Sequence, residues 1–193
     1  GFTQIISWGT TLYSLGVLGK PIVADTGWGS PLVFGGLISA WMVTVIILSL
    51  LWNPEIWVDD YPPEIRAVFP PKSERARRQT IWVAVPTYVV LIGLLVWMVT
   101  RQYAMAGGFP GFLQIALAVW VALQTFNVID LLLVDWLLVE TLRPRFVYMP
   151  GAERFADRRF YRHHFRGFLK GFVGITLVSL AIAASLWGAH LIL

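Results

Sequence analysis

Residues 31–52 read PLVFGGLISAWMVTVIILSLLW, twenty-two positions without one charged side chain. A helix rises about 1.5 Å per residue and the hydrocarbon core of a bilayer is about 30 Å thick, so about 20 apolar residues suffice to cross it. The stretch ends at Asn53-Pro54, where proline disfavours helix in the residue before it. Three further stretches have the same character. Residues 80–100 (TIWVAVPTYVVLIGLLVWMVT) are uncharged, and Pro86 inside them is expected to kink the helix. Residues 111–132 form a third span whose helical character continues to Leu142, too long for one simple crossing. Residues 168–192 form a fourth, with Lys170 at its start.

The whole chain agrees with this reading. Of 193 residues 57% are hydrophobic and 13% charged, against about a quarter charged in an average soluble domain. So few ionic groups cannot cover a water-facing surface, and a bilayer removes the need. The predicted fold class is an all-α integral membrane protein, a single membrane domain over residues 1–193. It is a bundle of four transmembrane helices plus an N-terminal amphipathic helix over 3–19. In that helix Ile5, Trp8, Leu12, Leu15 and Leu18 recur at helical spacing opposite Thr3, Ser7, Thr10, Thr11 and Ser14. It either lies in the interface or crosses as a fifth span. Its short length and polar face favour the interface.

The basic residues are not spread evenly. Of 15 Lys and Arg, five lie in the loop 53–79 and eight between Arg143 and Lys170, leaving Lys20 and Arg101 for the opposite side. An excess of Lys and Arg in short loops marks the cytoplasmic face. Loops 53–79 and 143–167 are therefore expected inside, and the turn near 101–110 and the C-terminus outside. Within the second loop a basic helix is expected over about 152–165. Its Arg154, Arg158, Arg159, Arg162 and Arg166, with Lys170 beyond it, are interleaved with Phe155, Phe160 and Phe165. That mixture suits the anionic inner leaflet. Anionic lipid is the expected partner, and nucleic acid is not. Loop 53–79 sets Ile56, Trp57, Val58, Tyr61, Ile65, Val68 and Phe69 among five prolines. It is expected to be ordered and docked on the bundle, the interface or a partner.

Chemistry is less legible. Gln124, Asn127 and Asp130 fall in the inner third of the third span or at its edge. Asn127 and Asp130 share a helix face there. A carboxylate at that depth is costly unless paired, protonated or wetted, which makes the three residues candidates for an ion or proton pathway. The bland reading pairs Asp130 with a loop arginine. Asp135 and Glu140 follow at steps of five, which turn an α-helix by about 500° each, so the three acids are not expected on one face. Asp59, Asp60, His163 and His164 are weak candidate metal ligands, because adjacent helical residues point about 100° apart. No metal site is expected. There is no cysteine, no His-Glu-x-x-His and no glycine-rich phosphate loop, and no cofactor is expected. His190 is a lone histidine near the outer end of the fourth span.

Small residues Gly167, Gly171, Gly174, Ala181, Ser185 and Gly188 follow one seam of the fourth span. Small residues let membrane helices approach closely. The seam is expected to serve helix packing within the chain, or contact with protein subunits or a second copy. The leading functional expectation is a non-enzymatic accessory or scaffold subunit of a membrane assembly. The alternatives are a small transporter or channel subunit using Asp130, and a membrane-bound enzyme at the cytoplasmic interface.

Overall fold

A computed structural model describes residues 30–106, 108–152, 155 and 157–192. The amphipathic segment 3–19 and Arg154 lie outside the described residues. Every regular element among them is helical. Helix α1 spans Ser30–Trp52, α2 Pro63–Arg66, α3 Glu74–Ala106, α4 Phe112–Ile129 and α5 Tyr161–Ile192. Four are long and apolar enough to cross a membrane: α1, α3, α4 with its continuation to Leu142, and α5. All four agree with the spans expected from composition. Two begin earlier than expected, α3 at 74 rather than 80 and α5 at 161 rather than 168. Their extra turns carry charged and polar side chains such as Arg75, Arg78, Arg162 and His164, which hydropathy excludes from a span but a helix accommodates. Helix α3 runs unbroken through Pro86.

Helix α4 is central and packs on α1 and α5, while α3 lies against α1. The dry core joins Ile38, Met98, Ile115, Val119 and Ala122, all fully enclosed, with Ala183 of α5. Close approach here depends on glycine. A Cβ on Gly35 would lie 2.6 Å from Thr125 Cβ and 2.9 Å from the Ala122 carbonyl oxygen. A Cβ on Gly171 would lie 2.7 Å from Asn127 Oδ1. The outward faces are apolar: Trp82 is 74% exposed, and Val89, Leu113, Leu177 and Leu191 are also exposed.

The loop after α1 is docked on the bundle. Asn53 caps a 3-10 turn over Pro54–Asp60 by accepting from the Glu55 amide, and its Nδ2 donates to Gln79 Oε1 of α3 at 2.6 Å. Trp57 Nε1 donates to Ser49 Oγ of α1 at 2.8 Å. Lys72 Nζ donates to the Ile56 carbonyl at 2.7 Å. Ile56, Val58 and Ile65 are buried beneath these contacts. Ile56, Val58 and Ile65 have found cover within the chain, Trp57, Tyr61 and Phe69 are half-buried, and Val68 stays exposed.

Of the basic helix expected over 152–165, only the part from Tyr161 is α-helical among the described residues. The amides of Ala152, Phe155 and Arg158 each donate to the carbonyl three residues back, giving successive tight turns instead of an α ladder. The Arg158 carbonyl is then taken by the Arg143 guanidinium. Helix begins only at Tyr161. A long-range side chain claims a backbone group that the helix would have used, and local periodicity cannot foresee that.

The third long helix changes pitch at Asp130. From Asp130 to Leu142 it is a π-helix, the pattern in which amides reach five residues back instead of four. Arg143 closes it in a left-handed conformation (φ 52°, ψ 50°), its amide donating to the Leu138 carbonyl at 2.9 Å.

Candidate functional site

The wide turn overturns the expectation that Asp130, Asp135 and Glu140 are scattered. In an α-helix a step of five overshoots one turn by about 140°. With bonds reaching five residues back, residues five apart come near the same side. All three acids now line one partly open cavity of about 620 Å³ at the end of the bundle that carries the two basic loops. Asp59, Asp60 and Tyr61 contribute from the first loop, and Tyr148, His163 and His164 from the second loop and α5. The remaining wall is apolar, with Met42 and Ile46 of α1, Phe126 and Val134 of the third helix, and Phe168 of α5.

Both loops meet at this end. Tyr61 Oη donates to the Val147 carbonyl at 2.5 Å, and His163 Nε2 lies 3.2 Å from the Asp60 carbonyl oxygen. Burial pushes the Tyr61 hydroxyl up to about 12, so it remains a donor at any ordinary pH. Burial also raises the Tyr148 hydroxyl.

His164 sits between two acids. Its Nδ1 is 3.0 Å from Asp135 Oδ1 and its Nε2 is 3.1 Å from Glu140 Oε1. Both nitrogens can satisfy carboxylates together only as donors, which is the imidazolium form. Glu140, 2% exposed, also receives Arg143 Nη2 at 3.0 Å, while Arg143 Nε donates to the Glu140 carbonyl at 2.9 Å. Two carboxylates, one imidazolium and one guanidinium balance to zero, which is how a nearly enclosed Glu140 is tolerated.

The other expected site residues separate into groups. Gln124 and Asn127 hold helices together: Gln124 Nε2 donates to the Phe172 carbonyl at 3.1 Å, and Asn127 Nδ2 to Gln124 Oε1 at 3.0 Å and the Phe168 carbonyl at 3.3 Å. Asp130 lines the cavity, and among the described residues no hydrogen bond or ion pair holds its carboxylate. None of the described loop arginines pairs with it. Asp59 pairs with Lys72 at 2.8 Å, and that hydrogen bond holds its carboxyl below the usual range. Asp60 goes the other way: burial raises it, Lys72 opposes, and Asp59 and Asp135 add to the rise. Its side chain still reaches solvent, so the shift is screened. Among the described residues no group of three or more His, Asp or Glu is arranged to hold a metal.

Arg162, Arg166 and Lys170 are exposed at four-residue steps along the start of α5, with Arg158 and Arg159 exposed just before it. Of the small-residue seam, only Gly171 meets another helix of the chain closely. A Cβ on Gly167, Gly174 or Gly188 would meet nothing within 4 Å, and Ala181 and Ser185 are exposed. Helix α5 instead turns Ile175, Ser179, Ala183 and Leu186 inward. His190 stacks on Phe109 at 4.0 Å.

Sequence reasoning set Asp135 and Glu140 aside and gave Tyr61 no polar role. The signal available for the acids was their five-residue spacing, which means little on an α-helix and much on a π-helix. No protein-family model, curated protein or solved structure matches this chain.

Proposed function

We propose that this chain is a multi-pass membrane protein that binds a small amphiphilic molecule in the cavity at the cytoplasmic end of its bundle. The observation that carries this reading is Asp130, a carboxylate with no ion pair or hydrogen bond among the described residues, facing an apolar-walled cavity of about 620 Å³. Ligand sites are cavities of about 300–1,000 Å³, mostly apolar, with a few convergent polar groups. A charged side chain within a span costs about 2.5–3.5 kcal/mol on insertion scales. Pairing with Arg143 would remove that cost, yet Arg143 is committed to Glu140. π geometry is rare, and where it occurs as single-turn bulges it is often at functional sites; here it turns three acids toward the cavity. The apolar core around Ile38, Met98 and Ile115 fills the other half of the bundle, which favours a site entered from one side.

The membrane setting is part of the proposal. Four apolar helices, outward-facing Trp, Val and Leu, and basic loops gathered at one end support it. Arg158, Arg159, Arg162, Arg166 and Lys170 would then lie among anionic headgroups. The test is to purify wild type and Asp130→Asn in lipid nanodiscs and compare their solvent extracts by mass spectrometry. Wild type is expected to carry a small amphiphile that the variant has lost; identical extracts overturn the reading.

A second reading, a subunit of a larger membrane assembly, is favoured by the small-residue seam of α5, where Gly167, Gly174 and Gly188 meet no close neighbour among the described residues. Isolation in mild detergent as a lone monomer counts against it.

A further inference from the structure

We infer that the head group taken by this cavity is a cation, a primary amine or ammonium carried on a short apolar tail. The inference rests on the reading of the cavity as a ligand site and adds the charge of the ligand. His164 and Arg143 are spent on Asp135 and Glu140, and Lys72 is spent on Asp59. His163 faces the Asp60 carbonyl, not its carboxylate. That leaves Asp60 and Asp130 facing the same cavity with neither ion pair nor side-chain hydrogen bond among the described residues. Among the described residues the cation remaining on the wall is Arg158, whose guanidinium lies 5.8 Å from the Phe155 ring centroid. With both ionised, two uncompensated carboxylates against one guanidinium leave the polar end net negative, and a bound ammonium is the partner that favours that ionised state. An ionised carboxylate is acceptor-only, and an ammonium supplies three donors and no acceptor. A neutral alcohol brings one donor and no charge, and a carboxylate ligand would add to the repulsion. Phe126 and Phe168 supply apolar surface for the tail and aromatic faces that attract a cation.

The test uses full-length protein in nanodiscs of zwitterionic phosphatidylcholine. Thermal unfolding is followed at neutral pH with hexylamine, hexan-1-ol or hexanoate at matched concentrations. Hexylamine is expected to raise Tm in a saturable way, and the other two are not. Asp130→Asn should weaken hexylamine binding about tenfold or more, the loss expected for a charge-assisted hydrogen bond. If Asp130→Asn does not fold, Asp60→Lys on the exposed loop decides the matter: it should abolish the hexylamine shift. A shift with hexanoate and none with hexylamine overturns the charge assignment while leaving a ligand site standing. A hexylamine shift unchanged in both variants places binding elsewhere and also overturns it. No shift with any of the three, together with identical extracts from wild type and Asp130→Asn, removes the site itself.

Discussion

Asp59 and Asp60 are neighbours whose carboxyls move in opposite directions, and pH should separate them. Hydrogen bonding to Lys72 lowers Asp59 in the folded state, so the stability it adds is present above its unfolded pKa and lost as pH falls through the folded one. Burial raises Asp60, so its contribution is favourable only in acid and becomes a cost as pH rises through its folded pKa. Asp60→Asn should therefore raise Tm slightly at pH 7, and the gain should vanish as pH falls to the ordinary aspartate range. Asp59→Asn should lower Tm at pH 7. Thermal melts across that range check both signs, and a gain for Asp60→Asn that grew in acid would contradict the assignment. Gly171 gives a second residue-scale expectation. A methyl group there would sit 2.7 Å from Asn127 Oδ1, and overpacking of this kind costs about 1–3 kcal/mol. Gly174→Ala meets nothing within 4 Å and should leave Tm unchanged, or raise it as alanine does in a helix.

At the scale of the element, the π-helix over Asp130–Leu142 is what assembles the site. The sequence marked this stretch as helical to Leu142, and it is. Hydrophobic patterning reports that a segment is helical and apolar, but not whether each amide reaches back four residues or five. Here the far end is held by tertiary contacts: Arg143 bonds Glu140 and reaches the Arg158 carbonyl, and His164 bridges Asp135 and Glu140. Removing one partner of a buried ionic cluster leaves an uncompensated charge and costs about 3–5 kcal/mol. His164→Ala or Arg143→Met should therefore destabilise by about that much in thermal or denaturant unfolding. The double variant His164→Ala with Glu140→Gln should lose clearly less than the sum of the single changes. Additive losses would mean that the cluster is not one unit.

For the molecule as a whole, the expectation is topological. Both basic loops meet at one end, through Tyr61 to Val147 and His163 to Asp60, while the 108–110 turn lies between α3 and α4. The chain has no cysteine, so single cysteines can be placed without background. Glu64→Cys and Arg145→Cys should react with an impermeant thiol reagent only from the cytoplasmic side, and Gly108→Cys only from the other. Glu64 and Arg145 labelling from opposite faces would refute the arrangement. The four long apolar helices were legible early because a span demands little beyond length, apolarity and missing charge. The docking of loop 53–79 was legible too, from Trp57, Ile56 and Ile65 set among prolines. The turns over 152–160 were not, since they answer to Arg143 from another part of the chain.

The amino-acid order alone determined four long apolar helices and a clustering of arginine and lysine in the connections between them. Those properties are sums over local composition, and neighbours elsewhere hardly alter them. The three-dimensional packing alone decided that Asp60, Asp130, Asp135, Glu140 and His164 share one cavity. That convergence needs a change of helical pitch and two loops folded over one end, and both are set by bonds between residues up to about a hundred positions apart.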